Sequence, residues 1–131
     1  MGRKNSNSIN MKKLLILFFS LSLLSSCTSQ EKMAVKKVDV STFTKGIALE
    51  NSQLVDVRTP KEFEQGHIEG AKLIDFYSEN FKEKIQQLDK ATPVYLYCRS
   101  GGRSGKASKL LVELGFKEIY DLKGGYIAYG K

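Results

Sequence analysis

From residue 53 onward, short apolar runs alternate with stretches that carry helix signals, and this alternation limits the fold more than any other feature of the chain. QLVDV (53–57) and PVYLYC (93–98) have the length and apolar density of buried parallel strands, and AKLID (71–75) is a third run of this kind. Between the first and third lies TPKEFEQG, with an explicit helix start. Thr59 can cap, Pro60 suits the first helical position, Glu62 completes a T-x-x-E box and Gly66 stops the helix. SENFKEKIQQL (78–88) is amphipathic, and Ser104–Leu114 places Ala107, Leu110, Leu111 and Leu114 on one face before Gly115. At the front, KKVDV (36–40) reads as a strand and STFTKGIALEN as a helix capped by Ser41 or Thr42. KEIYDL (117–122) is the last strand, and GGYIAYGK a terminal turn or short helix. Strands alternating with helices predict an α/β domain with a mainly parallel five-stranded sheet. In such sheets, sites form beyond the carboxyl ends of the strands.

That rule singles out YLYCRSGGRSGKAS (95–108), where a strand delivers Cys98 to the sheet edge. The helix expected from Ser104 points its amino terminus back at the intervening loop. A glycine-rich loop in that place can turn several backbone N–H groups inward as a nest of partial positive charge. A helix N-terminus and nearby arginines, here Arg99 and Arg103, stabilise thiolate over thiol, and thiolate is the nucleophile. Gly101, Gly102 and Gly105 are read as the positions that supply positive φ and close approach; a plain strand-to-helix turn would need only one glycine. A buried, inert Cys98 is the bland alternative.

The first 26 residues are expected to stand apart from this domain. Arg3, Lys4, Lys12 and Lys13 precede an apolar run from Leu14 to Leu24, and Ser25 and Ser26 follow, which is the pattern of a signal peptide cleaved before Cys27. The run is too short to span the roughly 30 Å of a bilayer core as a helix. LSSC (24–27) resembles the lipobox of bacterial lipoproteins, with Cys27 as the lipidated residue; an ordinary cysteine near a cleavage site is the plainer reading. MKKLLILFF is a complete signal opening by itself, so both Met1 and Met11 are candidate starts. Residues 27–37 then form a polar tether, and 38–131 the domain. The expected product is exported and membrane-anchored, facing the periplasm in a bacterium with two membranes. With Cys27 lipidated, Cys98 would have no partner in the chain. The signal segment holds four of the 21 basic residues and none of the 14 acidic ones, leaving 17 basic against 14 acidic. The basic character therefore lies largely in the leader, and no basic stripe with interleaved aromatics argues for nucleic-acid binding.

LVDVRTPKEFEQGHIEGAKLID, YLYCRSGGRSGKASKLLVELGF and YDLKGGYIAYGK together resemble a single-domain rhodanese, of the thiosulfate sulfurtransferase family, over residues 38–131. The resemblance implies the rhodanese-like fold, with helices on both faces of the sheet, and a persulfide cycle. Cys98 takes a sulfane sulfur from a small anionic donor such as thiosulfate and passes it to cyanide or a thiol, a protein acceptor included. The amides of Arg99, Ser100, Gly101, Gly102 and Arg103 would hold the persulfide charge. Asp56 and Arg58 match the family's D-V-R and are assigned to ordering the neighbouring loops, with direct substrate contact as the alternative role. Tyr129 stands where a tryptophan is usual, a difference of packing. No cofactor or metal is implied, and His67, with no ligand cluster around it, is read as part of a structural turn. Tyr95 and Tyr97 are assigned to strand packing, and Lys106 to positive field at the mouth of the site.

Two other classes compete. A Cys-dependent phosphatase also closes a cysteine loop with arginine, but such loops have five residues between the two, against four between Cys98 and Arg103. A non-catalytic rhodanese-like module would use the loop only to bind a partner or to sense oxidation through a low-pKa thiol.

Overall fold

The computed structural model describes residues 35–131. The expected signal peptide, Cys27 and most of the tether lie outside the described residues. The elements run β1 (Val35–Val38), α1 (Val40–Ile47), β2 (Gln53–Asp56), α2 (Pro60–Glu64), β3 (Lys72–Leu73), α3 (Phe81–Gln86), β4 (Val94–Tyr97), α4 (Gly102–Glu113), β5 (Ile119–Leu122) and α5 (Gly125–Tyr129). The five strands form one sheet in the order β1-β5-β4-β2-β3, and every pairing is parallel. β4, at the centre, is buried along its whole length, as its apolar run requires.

Alternate residues of the strands feed two cores, one on each side of the sheet. Val55, Val94, Leu96 and Ile119 pack with Phe81 and Ile85 of α3 and with Ala107 and Leu111 of α4. On the other face Tyr95, Tyr97 and Leu122 pack with Phe43 of α1, Ile68, and Tyr126 and Tyr129 of α5. Helices thus cover both faces. The short α2 buries none of its residues and sits after β2 as a cap to the site.

Several local boundaries differ from the expectation. The first helix is capped by Asp39, which accepts from the Thr42 amide at 2.8 Å, and not by Ser41 or Thr42. β1 ends at Val38, whose carbonyl accepts from Lys123, so the helix must begin at once to bring Phe43 into the core. That hydrogen bond from the Thr42 amide, with help from its hydroxyl, holds the Asp39 carboxyl below its usual range. α3 begins at Phe81, later than Ser78, because residues 75–80 first form turns on Asp75, whose carboxylate accepts from the Tyr77 amide and whose carbonyl accepts from Ser78.

The chain leaves β2 for the neighbouring edge strand β3 on one side and leaves β4 for β5 on the other. The carboxyl ends of β2 and β4 therefore flank the point where the winding direction changes, which is where a crevice opens in a sheet of this type. Asp56 ends β2 and Cys98 follows β4.

Candidate functional site

Cys98 is 1 % exposed, and the chain turns back over it through Arg99, Ser100 and Gly101 into α4. Gly101 is the helix N-cap at φ 112°, a backbone conformation that favours glycine, and its amide donates to Cys98 Sγ at 3.0 Å. Gly102 and Gly105 lie inside the helix, so the expectation of positive φ at all three glycines is corrected. One left-handed residue completes the reversal, and α4 accordingly starts two residues before Ser104. Burial of the thiol opposes ionisation. The Ser104 hydroxyl and amide, with the amides of Gly101 and Ser100, outweigh it and hold the Cys98 pKa below its ordinary value. Arg99 and Ser100 are exposed on the outside of the loop.

Arg103 makes a bidentate pair with Glu62, Nη1 to Oε2 at 2.7 Å and Nη2 to Oε1 at 2.8 Å. Glu62 also completes the predicted capping box: its Oε2 accepts from the Thr59 amide at 3.0 Å, and its own amide donates to Thr59 Oγ1 at 3.3 Å. One carboxylate therefore starts α2 and ties it to the first turn of α4. The hydrogen bonds from Arg103 depress the Glu62 pKa from 4.5 to about 2. A depressed carboxylate stabilises the fold above its ordinary pKa, and here that contribution fades only as pH falls from about 4.5 towards 2.

Asp56 and Arg58 form a second, buried pair at 2.7 Å. Asp56 also accepts from the Arg58 backbone amide at 2.9 Å, and Arg58 Nη2 donates to the Gly66 carbonyl at 2.6 Å. The guanidinium lies 4.2 Å from the centre of the Tyr126 ring. This pair thus joins the end of β2, the turn after α2, and α5. Tyr97 has more than a packing role, since its hydroxyl accepts from the Ile68 amide at 3.0 Å and anchors the turn that contains His67. His67 itself is exposed and stacks on Phe63 at 3.6 Å.

The C-terminal Gly-Gly-Tyr, given no separate role in the sequence, clamps the cysteine loop from behind. Tyr126 donates to the Cys98 carbonyl at 2.8 Å and Ile127 to that of Arg99 at 3.1 Å. A Cβ on Gly125, which has φ 61°, would come within 2.5 Å of both carbonyl oxygens. Two consecutive glycines after a strand are the only local hint of this close approach. A cavity of about 420 Å³ opens beside the loop, lined by Arg58, Glu62, Gln65, Arg99 and Tyr126 among others. Lys106 lines a different cleft, with Lys37 and Lys109.

A rhodanese-like domain family description matches residues 39–131. The chain belongs to the rhodanese-like domain family. It is 35% identical over 118 residues to thiosulfate sulfurtransferase 18 of Arabidopsis thaliana, covering 81% of this chain and 85% of that protein. It is 47% identical over 89 residues to the tRNA uridine(34) hydroxylase of Chlamydia felis, but that stretch is 63% of this chain and spans only 27% of the hydroxylase. Among solved structures, a rhodanese-like domain protein from Staphylococcus aureus superposes with a TM-score of 0.65 at 28% identity, over 74% of this chain and 93% of that one. The rhodanese-like fold expected from the sequence is therefore the fold of this chain.

Proposed function

We propose that this rhodanese-like domain is a sulfurtransferase that carries a sulfane sulfur on Cys98. The observation that carries the reading is the hydrogen bond from the Gly101 amide to Sγ, at the amino end of α4, around a thiol whose pKa is lowered. In the first half-reaction the Cys98 thiolate attacks the outer sulfur of thiosulfate; the S–S bond of the donor breaks and sulfite leaves with its electron pair. The Cys98 persulfide anion then rests among loop amides that already face sulfur. In the second half-reaction a nucleophile such as cyanide or a thiolate takes the terminal sulfur, and the Cys98 thiolate leaves with the bonding pair. Sulfur is conserved and no external oxidant or reductant enters.

Phosphate-ester hydrolysis fits less well. The loop has four residues between Cys98 and Arg103, and both terminal nitrogens of the Arg103 fork are already engaged by Glu62. Hydroxylation of tRNA belongs to a protein of which this chain spans about a quarter. The discriminating experiment is the intact mass of the full chain after incubation with thiosulfate. One sulfur should be gained, localised to the peptide carrying Cys98, and released as thiocyanate on adding cyanide. A chain that gains no sulfur while Cys98 is still free to alkylate would overturn the reading and favour an oxidation sensor.

The exposed Arg99 lines the cavity and has no side-chain ion pair or hydrogen bond among the described residues, so it should act by attracting the anionic donor. Arg99→Ala should raise KM for thiosulfate about fivefold with little change in kcat, the size of an exposed charge contact. Added salt should shrink the difference. Steady-state kinetics at two ionic strengths checks this.

A further inference from the structure

Among the described residues, three buried side-chain polar atoms have no hydrogen-bond partner: Ser104 Oγ, Ser108 Oγ and Asp121 Oδ1. All three belong to one layer beneath the cysteine loop. Asp121 is 1 % exposed and lies on β5, paired in register with Lys37 of β1 and Leu96 of β4, so it projects to the face that α4 covers. Ser104 and Ser108 are one turn apart on α4, and a Cβ at the intervening Gly105 would lie 3.9 Å from Asp121 Oδ2. Ser104 follows the loop whose Gly101 amide reaches Cys98 Sγ and precedes Gly105, which abuts Asp121, and its hydroxyl and Asp121 Oδ1 are both buried without a partner. That hydroxyl is not in full hydrogen-bond geometry with either Cys98 or Asp121, and a single hydroxyl proton can serve only one acceptor at a time.

We propose that Asp121 is a positioning residue that sets the reactivity of Cys98 by directing the Ser104 hydroxyl. Protonated, the Asp121 carboxyl donates to Ser104 Oγ and leaves the Ser104 proton for the sulfur. Ionised, it takes the Ser104 proton for itself, and the thiolate loses a donor while gaining a negative neighbour. Burial shifts the Asp121 pKa upward, with Ser104 and Lys37 opposing that shift, which brings the switch closer to neutral pH. The charged and titratable groups around Asp121 are few. Lys37 comes from β1, Cys98 from the end of β4, and Lys123 shares a cleft with Asp121, Lys37 and Ser100. α4 faces it with Ser104, Gly105 and Ser108, while Lys106 and Lys109 line the neighbouring cleft. An aspartate inside the apolar strand IYDL has no role in the sheet, and this placement supplies one.

The proposal rests on Cys98 as the reacting thiol, and alkylation tests it separately from sulfur transfer. The rate of iodoacetamide modification of the Cys98 peptide is followed by mass against pH in the full-length chain. Ser104→Ala should slow modification about tenfold at acidic pH, the worth of one hydrogen bond to a charged group. Asp121→Asn keeps a donor for Ser104 but cannot ionise, so it should raise the rate several-fold above wild type at alkaline pH. In the Ser104→Ala background only the smaller part of this effect, from removal of the negative charge, should remain. An Asp121→Asn profile identical to wild type, or an equal effect with and without Ser104, would overturn the proposal. Melting curves of each variant check that these small substitutions leave the fold intact.

Discussion

Cys98→Ser is expected to abolish thiosulfate-to-cyanide transfer, down to the uncatalysed background, because a serine hydroxyl cannot become a persulfide or leave as a stable anion. The substituted oxygen can still accept from the Gly101 amide, the bond that holds the loop closed over this position. Stability should therefore change by no more than about 1 kcal/mol. Thiocyanate formation and thermal melting of the same preparation give both readouts. Aryl-phosphate hydrolysis should be negligible in both proteins, and robust Cys98-dependent phosphatase activity would reverse the argument from loop size and from the Glu62–Arg103 pair.

The largest stability effect is expected at the other end of the site. Asp56 is fully buried and Arg58 is 3 % exposed, so removal of the carboxylate leaves a buried guanidinium with only the Gly66 carbonyl and the Tyr126 and Tyr97 rings. Asp56→Ala should destabilise the domain by about 3–5 kcal/mol, the size of an uncompensated buried charge. That is a large share of the roughly 5–15 kcal/mol that holds a domain of this kind together. Urea unfolding at neutral pH measures it. Asp56→Leu combined with Arg58→Met should recover much of the loss, since neither charge then remains. The double variant should still transfer sulfur poorly, because the turn at Gly66 and the α5 clamp have lost their common anchor. A single variant that unfolds within about 1 kcal/mol of wild type would mean that the pair is solvated in solution and orders nothing.

The sequence by itself determined whatever depends on neighbours along the chain. The apolar run 93–98 makes a central strand wherever the others pair, and Thr59, Pro60 and Glu62 start α2 through contacts within three residues. Cys98 directly follows that strand and precedes a glycine able to adopt φ 112°, so the thiol at the sheet edge was legible too. Charge contacts were not. Arg103 and Glu62 are 41 residues apart, and nothing local distinguishes an arginine that meets substrate from one that holds a neighbouring helix. The fork of Arg103 turned to Glu62 because the order β5-β4-β2 sets the helices that follow β4 and β2 side by side. Gly125 against the Cys98 carbonyl, and Asp121 beneath Ser104, likewise exist only because β5 packs beside β4 in parallel. Periodicity and capping act over a few residues and are written into the chain. Which distant groups share a desolvated space is settled by strand order, and only the tertiary structure decided that.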